Sequence, residues 1–263
     1  MVKHLTIDRL RVEIHPDRSS SGRAAGHAAA EFLRQSLADA PPASPRLLLA
    51  AAPSQNEMLQ TLVRETLAFD WSRVDIFHMD EYLGLAPDHP ASFRRYLRER
   101  ILDRLPLSHD RIHLIPGESA DEPLAICLNY ERLLKQSPID LVCAGIGENG
   151  HLAFNDPPVA DFHDPVGMKV VRLDEACRAQ QVHDGCFPSL DAVPRHAYTL
   201  TIPRLLSARS LVVTVPGLRK AQAVRDALLG PIAEACPASI LRTHPNATLY
   251  LDREAASLCS FLA

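Results

Sequence analysis

Two hydrophobic rhythms alternate along this chain. Short, nearly unbroken apolar runs fall at residues 47–52, 74–79, 139–144, 198–202, 211–215 and 248–251. Runs of that length, rich in Leu, Val and Ile, predict strands buried on both faces. Between them, apolar residues recur every three or four positions, which predicts amphipathic helices at 23–38, 57–69, 92–105, 122–135, 219–229 and 254–261. The alternation predicts an α/β fold: a mainly parallel, Rossmann-like sheet flanked by helices on both faces. Ligands of such sheets bind beyond the carboxyl ends of the strands, so chemistry is expected just after each apolar run. One stretch breaks the rhythm. Residues 156–193 are polar, with Gly185 and Pro188 as breakers, and predict an irregular lid over about 157–193.

Composition narrows the class. The 263 residues suit a single α/β domain spanning 1–263, and 46% apolar content supplies a large core. A net charge of −4 gives no basic footprint for nucleic acid. No apolar run approaches the roughly 18 residues needed to span a membrane. The N-terminal Met1-Val2-Lys3-His4-Leu5-Thr6-Ile7-Asp8 carries charges where a signal peptide needs an apolar core. Six cysteines (127, 143, 177, 186, 236 and 259) form no Cys-x-x-Cys pair and no zinc-ligand spacing, the usage of reduced thiols in a cytoplasmic protein. The expected partner is a small molecule, and a homo-oligomer is allowed.

The richest stretch, residues 145–157, reads Gly-Ile-Gly-Glu-Asn-Gly-His-Leu-Ala-Phe-Asn-Asp-Pro and follows the strand at 139–144. Its glycines permit a sharp turn and close approach to a ligand, Gly147 among them. The loop delivers His151 between Asn149 and Asp156, a general acid or base with polar groups to orient it. Gly145-x-Gly147-x-x-Gly150 also spells the dinucleotide fingerprint, with Asp174 near the ribose-binding position. That reading requires a helix after the third glycine, and Pro157, Pro158 and Pro165 forbid it.

Other strand ends carry candidates. Asp80 and Glu81 are adjacent carboxylates that alternation points opposite ways, so one can enter a cleft while the other pairs elsewhere. A buried carboxylate there has a raised pKa and can remove a proton from carbon beside a carbonyl. Ser54-Gln55-Asn56-Glu57 reads as a capping box for the helix at 57–69, with Glu57 folded onto the free amides and repelling a phosphate. Ser54, Gln55 and Asn56 could hydrogen-bond sugar hydroxyls. Pro216-Gly217-Leu218-Arg219-Lys220 opens another helix and is the better anion site, with Lys220 supplying positive charge.

These segments resemble the glucosamine-6-phosphate deaminase/isomerase family, which shares its fold with 6-phosphogluconolactonases. The resemblance rests on Met79-Asp80-Glu81-Tyr82-Leu83-Gly84-Leu85 with His89-Pro90, on Gly145 through Asn155, on Val193-Pro194-Arg195-His196-Ala197 and on Gly217-Leu218-Arg219-Lys220-Ala221. The Ala153-Phe154-Asn155 ending favours the deaminase branch. The resemblance implies that Asp80 takes the C2 proton of an opened amino sugar, that His151 assists ring opening and that Lys220 holds the phosphate. It implies no metal and no organic cofactor. The chain departs from the family pattern in four places. Asn149 replaces an aspartate, which predicts a weaker base at His151. Asp156 replaces a glutamate, a shortening that predicts it falls short of the ring. Residues 54–57 replace a Thr-Gly-Gly-Thr phosphate loop, and Arg178 stands in for the lid arginine by proximity alone. The activity implied is conversion of glucosamine 6-phosphate to fructose 6-phosphate and ammonia. The alternatives are a non-phosphorylated or otherwise different sugar, a non-catalytic sugar-phosphate sensor, and lactone hydrolysis.

Overall fold

Leu47, Leu48 and Leu49 are wholly buried because the strand that carries them is covered on both sides. The computed structural model describes residues 1–39, 44–65, 69–119 and 122–259. In chain order they form β1 (Lys3–Ile7), β2 (Leu10–His15), α1 (Arg18–Asp39), β3 (Arg46–Leu49), α2 (Asn56–Arg64), β4 (Asp75–His78), β5 (Asp80–Tyr82), α3 (Phe93–Arg100), β6 (Ile112–His113), α4 (Pro123–Lys135), β7 (Leu141–Ala144), β8 (Met168–Arg172), α5 (Glu175–His183), β9 (His196–Leu200), α6 (Ile202–Leu206), β10 (Ser210–Val215), α7 (Ala221–Leu229) and β11 (Ala247–Asp252). Eight strands form one sheet in the order β1-β2-β11-β10-β7-β3-β4-β6. Every pairing in it is parallel except the β1–β2 hairpin. A second, antiparallel sheet has the order β5-β9-β8.

The period-two alternation of a strand divides the apolar residues between two cores. Leu48, Phe77, Val142, Val213 and Leu249 face one side, packed with α4 and α7 through Tyr130, Leu134, Val224 and Leu228. Leu47, Leu49, Ile76, Leu141, Cys143 and Val212 face the other, under Ala25 and Leu33 of α1, Met58 and Leu62 of α2 and Leu97 of α3. Among the described residues no helix is long and apolar enough to cross a membrane.

The parallel sheet with helices on both faces is the architecture expected from the pattern, and its departures have physical reasons. The run at 198–202 pairs in the small sheet as β9, because Met79 hands the chain from one sheet to the other: its N–H donates to Leu49 and its carbonyl accepts from Leu200. The helix expected at 92–105 ends at Arg100 and continues as a 3₁₀ turn, Leu102–Arg104, after Ile101 turns extended in φ. The described part of 254–261 is a set of turns rather than a helix, and residues 260–261 lie outside the described chain. Within 157–193 the chain is more regular than expected. It builds β8, whose five residues are too few to show an alternation, and α5, capped by Asp174 onto the Ala176 N–H. Strands β1, β2, β5 and β6 also escaped the apolar-run reading: β5 and β6 are very short, β1 is largely exposed, and β2 alternates apolar with polar residues.

Leu48 is buried against the first core at the middle of the large sheet. Leu48→Ala is expected to cost about 2–5 kcal/mol, read as a lower denaturation midpoint at unchanged denaturant slope.

Candidate active site

Strand order reverses between β3 and β7: from β3 the chain works outward through β4 and β6, and from β7 through β10 and β11 the other way. The loops leaving these two strands therefore diverge and open a crevice, where ligands of open α/β sheets bind. A cavity of about 300 Å³ lies there. Its walls include Ala50–Ser54 after β3, Met79 and Asp80 after β4, Gly145–Glu148 and His151 after β7, and Pro216–Lys220 after β10.

Asp80 and Glu81 part as alternation requires. Glu81 is wholly buried beneath α3, and its carboxylate accepts from the Tyr82 N–H (3.0 Å), Ser92 hydroxyl (3.0 Å), Phe93 N–H (3.1 Å), Arg94 N–H (3.0 Å) and Arg94 Nε (3.2 Å). An anion thus closes the amide end of a helix. With Glu81 fixed outward, Asp80 faces the cavity, only 7% exposed. Burial first, then the negative charge of Glu81, pushes the Asp80 carboxyl well above the usual carboxylate range. His78 is no rival base: its Nε2 accepts the Ile115 N–H at 2.6 Å, and burial pushes its pKa down to about 3.

The glycine loop sets His151 by subtraction. A Cβ on Gly147 would sit 2.2 Å from the imidazole, so only glycine lets the ring lie on the backbone. Gly147 N–H donates to the His151 carbonyl at 3.0 Å, and the His151 N–H donates to Asn149 Oδ1 at 3.2 Å. His151 Nδ1 lies 2.9 Å from Asp156 Oδ1, a charge contact outside aligned hydrogen-bond geometry. Asp156 also accepts from Asn149 Nδ2 (3.0 Å) and from the Asp174 N–H (3.1 Å). Burial would raise the Asp156 carboxyl, but the His151 ring, Asn149 and the Asp174 amide outweigh it and hold the pKa below its ordinary value. The shortened side chain therefore does reach the ring, contrary to expectation, and Asn149 orients it. Ala153 takes a left-handed φ of 51°, a strained state held by the Phe154 N–H on Thr199 Oγ1 and Asn155 Nδ2 on the Leu152 and Leu200 carbonyls.

Lys220 lies in the cavity wall, buried, and its ammonium makes no ion pair or hydrogen bond among the described residues. Burial lowers its pKa, while the charges of Asp184 and Glu148 pull the other way. Gly217, at φ 93°, makes the turn before it, its N–H held by both carboxylate oxygens of Asp252 (3.0 and 2.9 Å).

Over residues 20–250 the sequence matches the family described as glucosamine-6-phosphate isomerases/6-phosphogluconolactonase. The chain belongs to that family. It is similar to the glucosamine-6-phosphate deaminases of Bacillus thuringiensis (strain Al Hakam) and Bacillus cereus (strain AH820), at 37% identity over 191 residues, 73% of this chain and 70% of each relative. A solved monomeric glucosamine-6-phosphate deaminase superposes with a TM-score of 0.85 at 31% identity, over 94% of this chain and 99% of that one. The 6-phosphogluconolactonase of Thermotoga maritima shares the fold, with a TM-score of 0.74 at 17% identity over 92% of this chain and 98% of that one. As a member of this family the chain is an enzyme of the isomerase/hydrolase kind.

Of the residues singled out from the sequence, the cavity of this family member gathers Asp80, His151, Gly147, Ser54 and Lys220. Others serve elsewhere. Glu81 anchors α3. Gln55 is buried, its Nε2 donating to Thr214 carbonyl (3.2 Å) and Ser54 Oγ (3.0 Å), so it ties β3's exit to β10. Asn56 Oδ1 accepts from Tyr96 at 2.7 Å. Arg178 donates to the carbonyls of Leu190 (2.6 Å) and Val193 (3.2 Å) and does not line the cavity. The capping box does not form: the helix cap is Gln55 without a side-chain bond, and Glu57 pairs with Arg18 at 2.8 Å. Sequence reasoning missed Arg18, Glu148, Gln180, Gln181 and Asp184 in the wall. Glu148 lies inside the glycine motif, and the two glutamines lie within three residues of Arg178. Arg18 had no local signal.

Glu81→Ala orphans the α3 amides and removes one of the two ion-pair partners of Arg94. It is expected to cost about 3–5 kcal/mol in denaturant unfolding, with Glu81→Gln milder. A loss below about 1 kcal/mol for the alanine would contradict the anchoring role.

Proposed function

We propose that this chain converts glucosamine 6-phosphate to fructose 6-phosphate and ammonia. The observation that carries the reading is the convergence of a buried carboxyl, an imidazole backed by a carboxylate, and an unpaired ammonium on one sugar-sized cavity. Lys220 takes the phosphate, helped by the Ser54 hydroxyl and by Arg18, whose pairing with Glu57 keeps that carboxylate off the anion. That pairing removes the repulsion that favoured a non-phosphorylated sugar. His151, oriented by Asp156 and Asn149, moves a proton to and from the ring oxygen as the pyranose opens. Asp80 then removes the C2 proton and returns it at C1, which shifts the carbonyl character to C2 as an iminium. Water adds at C2 and ammonia leaves. One water is consumed, and no electron leaves the substrate.

The segment 157–193 acts in this reading as a lid, since Gln180, Gln181 and Asp184 of α5 and its end close one side of the cavity. Gln180 Oε1 accepts the Glu148 N–H at 2.8 Å and joins the lid to the glycine loop.

The deciding assay incubates the folded protein with glucosamine 6-phosphate and measures ammonia and fructose 6-phosphate; absence of both at high enzyme concentration rejects the proposal. Asp80 must be ionised to act, so kcat/KM is expected to rise with pH through an acid limb above the ordinary Asp value of about 3.9. Glu81→Gln removes the neighbouring negative charge and should move that limb down. Asp80→Asn should lower kcat by about 10²–10⁴-fold. The sign for stability is opposite. A raised folded pKa favours folding below the unfolded pKa, and that contribution is lost as pH rises through the folded one. Asp80→Asn is therefore expected to melt higher than the parent at neutral pH. Lys220→Ala should raise KM more than it lowers kcat, by roughly 10–100-fold. It should also abolish the extra thermal stabilisation given by the 6-phosphate over the free sugar.

A further inference from the structure

Behind the sugar cavity, His151, Asp156 and Cys177 bring a nitrogen, a carboxylate oxygen and a sulfur to within 4.8 Å of one another, all buried. His151 Nδ1 makes no aligned hydrogen bond, lying 2.9 Å from Asp156 Oδ1 in a residue only 8% exposed. Asp156 is already held for a ligand's task, with Asn149 Nδ2 on one oxygen and the Asp174 N–H on the other. Such supporting bonds are what orient a metal-binding carboxylate. We infer that His151 Nδ1, Asp156 and Cys177 form a binding site for a thiophilic divalent transition metal, with Zn²⁺ as its type, and that occupancy switches the enzyme off.

The chemistry of the donor set fits that class. One imidazole, one carboxylate and one thiolate are ligands that zinc accepts in a tetrahedral site with one position left for water. Metal–ligand bonds of about 2.0–2.3 Å require the His151 and Asp156 atoms, now 2.9 Å apart, to open to roughly 3.3 Å. A rotation of the ring supplies that. The sulfur sheds its proton to solvent on binding, and the two anionic ligands balance the charge of the ion. A second cavity of about 450 Å³ is walled by Asp156, Asp174 and Glu175 and by Arg172, Arg178 and Arg195, with the Asp156 carboxylate itself buried.

The site itself does not depend on the sugar chemistry; its effect on turnover rests on the role given to His151. Metal on Nδ1 replaces the Asp156 contact that orients the ring and fixes the ring nitrogen by which it is held. The test is equilibrium dialysis of the full chain against Zn²⁺ with metal counting, alongside a Co²⁺ titration followed by absorbance. One ion per chain and a near-ultraviolet thiolate-to-cobalt charge-transfer band are expected. Cys177→Ser should abolish the band and weaken Zn²⁺ binding more than about tenfold. Asp156→Asn should weaken it comparably with the band kept, which guards against a serine variant that fails to fold. No Zn²⁺ bound by the parent, a band that survives Cys177→Ser, or Zn²⁺ binding unchanged in both variants would overturn the site. Full ammonia release from the parent carrying one equivalent of Zn²⁺ would overturn the switch. A parent without turnover in metal-free buffer counts against the proposed reaction, whereas the dialysis result decides the metal site.

Discussion

The carboxylate of Glu81 fixes the orientation on which the cavity depends. Five donors converge on it from α3 and the adjoining strand, and a strand can present neighbouring side chains only to opposite sides. Anchoring Glu81 under the helix therefore forces Asp80 into the crevice. The same anchor supplies the negative charge that, added to burial, keeps Asp80 reluctant to ionise. One structural acid thus sets both the direction and the basicity of its neighbour. Tyr82 continues the pattern, packing with Phe93, Phe154 and Phe187 at centroid distances of 4.9–5.4 Å beneath the site.

Much of this was legible in the residues. Continuous apolar runs gave the parallel strands because those strands are covered on both faces. Asp80, His151 and Lys220 stood out because each follows a strand, and the loops that leave the strands line the crevice opened where strand order reverses. What stayed hidden was pairing. Nothing local says that the Asn149 amide turns towards Asp156, or that a shortened carboxylate still comes within 2.9 Å of the ring. The capping-box pattern at 54–57 was misleading because a competing cation, Arg18, lies 39 residues away in the chain and captures Glu57 first. The small sheet was also illegible. Its strands are short, and Met79's shared hydrogen bonds, not any periodicity, tie β9 to the end of the large sheet's β3.

In the proposed reading, an anion site is rebuilt with different parts. Gln55 occupies space beside Gly145, where its amide nitrogen would lie 2.9 Å from an added Cβ. It ties two strand ends together instead of leaving a free glycine turn. The cavity-wall cations Arg18, at the head of α1, and Lys220, at the head of α7, come from outside the loop. Asp252, at the end of β11, holds the second of these heads in place through the Gly217 amide.

Phe187, seated edge-on against Tyr82, has a mechanical consequence for α5. The helix is tethered behind by the Leu173 N–H on the Arg195 carbonyl, and ahead by this ring and by Arg178 gripping Leu190 and Val193. A span clamped at both ends cannot swing free like a door; it can only bow. Widening of the entrance is therefore limited to a shallow flexing between two pivots, which favours compact guests over branched or polymeric ones.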